Sequence, residues 1–95
     1  MDSNGVIEYL QKNDLERIAL RSGWISTDIP PWTWEIRFYS ISIPGDSHSL
    51  TSEPTDVAND ILNMKKQKWI ISELYNNDSC AVLFLTKVQK YGATI

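Results

Sequence analysis

Apolar side chains fall along this chain in two rhythms. From Trp32 to Phe38 they take every second position, with Trp32, Trp34, Ile36 and Phe38 on one side and Thr33, Glu35 and Arg37 on the other. Alternation of this kind, rich in aromatic and β-branched residues, marks a half-buried strand. Past Phe38 the phase changes, and Tyr39, Ile41 and Ile43 alternate with Ser40 and Ser42. A bulge near Tyr39 would keep both sets on one core; otherwise the second half of the strand is covered on its other face. Pro30 and Pro31 force irregular structure just upstream, after a short extended piece at Trp24-Ile25.

Helical spacing governs the beginning of the chain. Val6, Ile7 and Leu10 share one face, and Leu15, Ile18 and Ala19 continue it. Ser3 or Asn4 can cap the start, and Gly23 behind Arg21 is a natural stop. The pattern predicts a helix over residues 4–22, with a kink or a second cap at Asn13 or Asp14 where the apolar face drifts. Pro44 to Glu53 reads as loop. Thr55, with Pro54 just before it, then caps a second helix whose arc of Val57, Ala58, Ile61 and Leu62 runs to about Met64.

Extending that helix through Trp69-Ile70-Ile71 would scatter apolar residues around the cylinder. A new strand is therefore expected from about Lys68 to Tyr75, the rival being a longer helix that reaches Asn76. Tyr75-Asn76-Asn77-Asp78-Ser79 is a turn signal, and Cys80 to Val88 supplies the other arm of a hairpin. The unbroken apolar run of that arm suits a central strand covered on both faces. The predicted order is helix-strand-helix-strand-strand. This is an α+β domain: an antiparallel sheet of about three or four strands with two helices packed on one face.

Length changes the picture little: 95 residues make a single domain, 1–95. No apolar run approaches the roughly 18 residues of a membrane span. The polar start Met-Asp-Ser-Asn-Gly lacks the regions of a signal peptide, and one cysteine cannot form an internal disulfide. Together these point to a cytoplasmic protein.

Charge adds more. Residues 26–63 carry six acidic side chains against Arg37 alone, a balance of −5, whereas the chain from Met64 onward carries +3. An acidic middle can steer a basic partner. The same charges also suit a solvated surface, and Asp56 and Asp60 suit the N-terminal half of a helix.

Candidate chemistry is thin. Asp46-Ser47-His48 with Cys80 resembles parts of a thiol site, but nothing in the spacing brings them together, and Cys80 opens the most apolar strand. One His and one Cys do not complete a zinc ligand set, and no phosphate loop or dinucleotide fingerprint occurs, so no catalytic residue, metal or cofactor is expected. Lys65-Lys66-Gln67-Lys68-Trp69 is the best case for a nucleic-acid module, yet it is short and the chain is acidic. The aromatic alternation reads mainly as core, with a possible binding rim at its exposed end.

The layout resembles that of the small immunity proteins that bacteria co-produce with nuclease toxins, of the colicin and contact-dependent inhibition types. Carrying the resemblance are a leading helix ending in Ser22-Gly23-Trp24-Ile25, the aromatic strand, an acidic capped helix at Glu53-Pro54-Thr55-Asp56 and the closing strand Ala81 to Thr86. It implies stoichiometric, non-catalytic inhibition of a cognate toxin whose cationic surface is occluded by an acidic partner. By charge and loop position, Asp46, Glu53, Asp56 and Asp60 form the expected contact set, with Glu35 and Tyr39 secondary and His48 a source of pH sensitivity. A phage-encoded inhibitor of a host defence enzyme would use the same physics. No membrane or direct nucleic-acid partner is expected, and the chain is expected to be a monomer or a weak dimer.

Overall fold

The computed structural model describes residues 1–25 and 33–88; Trp32 lies outside them. Two helices and five strands follow in the order α1 (Ser3–Lys12), β1 (Arg17–Ile25), β2 (Thr33–Ser40), β3 (Ser47–Ser49), α2 (Pro54–Leu62), β4 (Trp69–Asn76) and β5 (Cys80–Lys87). The strands form one antiparallel sheet in spatial order β3-β2-β1-β5-β4. The fold is α+β as the sequence predicts, with five strands rather than three or four.

The largest departure is at residues 17–25, expected as the second half of a helix and found as the central strand. Leu15, Ile18 and Ala19 match helical spacing, but α1 ends where the apolar face drifts. The Asn13 N–H and side-chain amide both bond to the Tyr9 carbonyl, and the Asn13 backbone is extended. From Arg17 the period is two. Ile18, Leu20 and Ser22 face the helices, while Arg17, Ala19, Arg21 and Gly23 face away.

Several ends also differ. Asp2, not Ser3 or Asn4, caps α1 by accepting from the Gly5 N–H at 2.8 Å. Glu53, not Thr55, is the N-cap of α2, and Pro54 opens the helix where a missing N–H costs nothing. β2 carries no bulge at Tyr39; it stops at Ser40, and Ile41 and Ile43 lie exposed in the turn that leads to β3. The expected strand at 68–75 is β4, which excludes a long second helix. An irregularity does fall in β4, where Ser72 is the extra residue between the pairs Ile71–Leu85 and Glu73–Phe84.

The core lies between the helices and one half of the sheet. Val6 and Leu10 of α1 and Val57, Ala58 and Ile61 of α2 pack with Ile18, Leu20, Phe38, Leu85 and Trp69. Each helix is roughly 15 Å long, whereas strands of eight or nine residues run roughly 27–30 Å, so helices of this length cannot cover the strands end to end. Of the aromatic row, Phe38 is fully buried, Ile36 is half-buried and Trp34 is 48% exposed. β5 is interior in strand order, but only Leu85 along it is buried, so it is not covered on both faces. No helix among the described residues is long and apolar enough to cross a membrane.

Gly23 lies where β1 closely approaches the start of β5. A Cβ there would lie 2.6 Å from Cys80 Cβ and 2.9 Å from the Ser79 carbonyl oxygen. Gly23→Ala is expected to destabilise the fold by about 1–3 kcal/mol, read as a lower urea midpoint at unchanged m-value. An unaltered midpoint would mean that the 79–80 turn yields freely.

Candidate partner-binding surfaces

The seven expected contact residues do not form one patch. Glu53, Asp56 and Asp60 belong to α2, where Val57, Ala58 and Ile61 are buried against the sheet. At 100° per residue, Asp56 and Asp60 then fall on the outer flank toward α1, and Thr55, Asn59 and Leu62 on the opposite flank. The Ser3 hydroxyl of α1 donates to an Asp60 oxygen, and the Ser3 N–H donates to Ser52 Oγ at 3.0 Å. These bonds bring the α1 cap, Asp2, toward the acidic flank of α2. Asp2, Glu53, Asp56 and Asp60 are all exposed, and none of them is in an ion pair among the described residues.

Asp46 and His48 are engaged internally. The Tyr9 hydroxyl donates to one Asp46 oxygen, and His48 Nε2 lies 2.9 Å from the other. Tyr9 meets the rings of Phe38 and His48 edge-on at 5.6 and 5.1 Å, and His48 stacks on Phe38 at 5.8 Å. This cluster ties α1 to the β2–β3 corner. The sequence identified Asp46 and His48 as polar loop residues; nothing in it signalled the partnership with Tyr9, 37 positions away.

Glu35 and Tyr39 lie on the far side of the sheet, away from both helices. There the Arg37 guanidinium donates to Glu35 at 2.6 Å and to the hydroxyls of Ser49 and Ser47 at 3.2 and 2.9 Å. Glu35 is therefore a neutralised carboxylate. Tyr39 and Phe84 flank the buried Ala19, and Arg17 stacks over Phe84 at 4.5 Å while pairing with Glu73 at 3.1 Å. Arginines 17, 21 and 37 make this face cationic relative to the helical one.

Cys80 and His48 occupy opposite faces, since Cys80 pairs with Gly23 and His48 with Phe38. They do not form a nucleophile and base. Among the described residues, no group of three or more His, Cys, Asp or Glu side chains is placed to hold a metal ion. Trp69 is only 3% exposed, so the run Lys65 to Trp69 offers no ring on which a base could stack. Instead Trp69 lies beneath Lys12, Lys66 and Lys87 in a concavity of about 500 Å³ at the C-terminal end of α1.

Sequence reasoning missed two apolar surfaces. One is a groove of about 350 Å³ between α2 and the β4–β5 hairpin, lined by Ala58, Leu62, Ile71, Leu74 and Leu83, with Glu53 its one carboxylate. The other is the outer edge of β4, where Ile70, Ile71, Leu74 and Tyr75 are all exposed. The strand was legible, but its place at the sheet edge depends on β1, which was read as helix. No known protein family, no curated protein and no solved structure matches this chain.

The hydrogen bond to Asp46, followed by burial, holds the Tyr9 phenol above its ordinary value of 10.0. A raised pKa in the folded state stabilises the fold below the unfolded value, and that contribution is lost as pH rises through the folded value. Tyr9→Phe is expected to cost about 0.5–1.5 kcal/mol at neutral pH, a deficit that shrinks above about pH 10. Urea midpoints of both proteins from neutral to alkaline pH measure this. A deficit constant across that range would mean the bond has no part in it.

Proposed function

We propose that this protein is a non-catalytic inhibitor that binds a basic protein partner through the acidic flank of its helical layer. The resemblance to immunity proteins makes the partner a cognate toxin, a nuclease domain whose cationic substrate surface is occluded. That resemblance rests on the aromatic strand, the acidic helix and the closing strand, the leading helix to Ser22 being replaced by α1 and β1. The reading places the protein in the cytoplasm, where a single cysteine stays reduced.

One observation carries the proposal. Asp56 and Asp60 stand one helical turn apart, exposed and without a counter-cation among the described residues, with Asp2 and Glu53 at the starts of the two helices. Several like charges on a rigid element raise the rate of encounter with an oppositely charged partner, and apolar contacts beside them slow release. The groove on the other flank of α2, lined by Leu62 and Glu53, supplies such contacts. Asp46, His48 and Glu35 have a structural part in this reading, because their polar atoms already have partners.

The test is binding to the C-terminal domain of the toxin encoded beside the gene. The double reversal Asp56→Lys with Asp60→Lys is expected to slow association about tenfold or more at low salt. The difference should close as salt rises. Association at the wild-type rate at low salt would exclude this flank as the steering surface.

A further inference from the structure

The edge of β4 is built unlike a protected sheet edge. Edge strands are usually short, carry charges or proline, are twisted away by a bulge, or are covered; of these devices β4 has the irregularity at Ser72 and one charge. Here eight residues, WIISELYN, hold a single charge and no proline, and no strand among the described residues pairs with their outer side. Leu74 is 67% exposed on the helical face beside Ile71, and Ile70 and Tyr75 are exposed on the other face.

The backbone is equally available. The Asn77 N–H donates to the Cys80 carbonyl at 2.9 Å, which sets the phase of the ladder. By antiparallel alternation Tyr75 and Glu73 then bond toward β5, and the N–H and C=O groups of Leu74 and Asn76 point to the open side. Ser72, the extra residue, is fixed in place: its hydroxyl donates to the Phe84 carbonyl at 3.3 Å and accepts from Thr86 at 2.8 Å.

We infer that β4 pairs antiparallel with β4 of a second copy of this chain, joining two five-stranded sheets across a two-fold axis. Charge selects this occupant. Glu73, the one charge within the strand, is compensated by Arg17 at 3.1 Å, so two such edges meet without like-charge repulsion. The flanks complement each other, because antiparallel pairing sets the Lys65-Lys66-Lys68 end of one copy beside the Asp78 turn of the other. A strongly basic partner has nothing to recognise here. The exposed parts of the four apolar side chains come to roughly 400–500 Å² per copy, so that with the strand backbone two copies bury at most on the order of 1,200 Å², the lower end of specific interfaces.

The pairing is independent of the acidic flank proposed to bind a toxin. Sedimentation equilibrium of the full chain at micromolar and higher concentrations is expected to give twice the 10.9 kDa chain mass. Leu74→Lys, and Ile70→Lys on the opposite face, should each raise the dissociation constant about tenfold or more while the circular dichroism spectrum stays unchanged. The Asp56→Lys, Asp60→Lys double variant should keep the wild-type mass, which separates this result from failure of the toxin reading. A monomer at every concentration, a mass beyond two chains, or an undiminished dimer in both lysine variants would overturn the pairing.

Discussion

The helices of this protein are about half as long as the strands they cover, and that mismatch organises everything else. Val57 and Ile61 of α2, with Val6 and Leu10 of α1, close over Ile18, Leu20, Phe38 and Leu85. Burial of those side chains is the main force holding the layers together, and truncating any one of them would leave a cavity in this core. At the other end of the sheet Trp34 and Leu74 carry the same apolar chemistry with less cover. The surfaces available to partners are therefore a consequence of where the helices stop.

Charge is distributed along the same axis. Ser3 of α1 bonds to Asp60 of α2, while Leu10 and Met64, at the far ends of the two helices, line one concavity. The start of α1 is thus bonded both just ahead of α2, where the Ser3 N–H donates to Ser52 Oγ, and near its end, at Asp60. Asp2, Glu53 and Asp56 stand at the N-terminal ends of the helices, where the helix dipole favours carboxylates, and Lys12 in the last turn of α1, where it favours cations. Glu53 and Asp56, two of the six acidic side chains in residues 26–63, thus have a structural reason for their place. What the dipoles do not account for is Asp60, near the end of α2, which holds its place through the Ser3 hydroxyl.

The closing hairpin and α2 were legible because their signals are local: a turn cluster at Asn76-Asn77-Asp78-Ser79, and buried residues at 57, 58 and 61. The central strand was not. Leu15, Ile18 and Ala19 have the spacing of a helical face, Arg17 and Arg21 that of a solvated one, and Gly23 sits where a helix would stop. The alternation of Ile18 and Leu20 is broken by Ser22 on the inner face and by Ala19, buried under Tyr39 and Phe84, on the outer. Three-residue β3, Ser-His-Ser, has no apolar pattern at all; it exists because β2 offers it a ladder and Arg37 binds both its serines. Of the proposed contact residues, Asp56 and Asp60 were legible as a helical pair. The internal roles of Asp46, His48 and Glu35 depend on partners that tertiary structure supplies.

The two rims of the sheet are unequal. On the β3 side the ladder is only three residues long, and beyond it the Met1 ammonium bonds to the Ser49 carbonyl and the Met1 carbonyl accepts from the Thr51 N–H. A docking strand finds little purchase there. A sheet with two long bare rims can grow without limit into fibres, whereas a sheet with one can join only once. By blunting one rim, the short strand makes self-assembly terminate at the first step, so an apolar rim can persist without seeding aggregation.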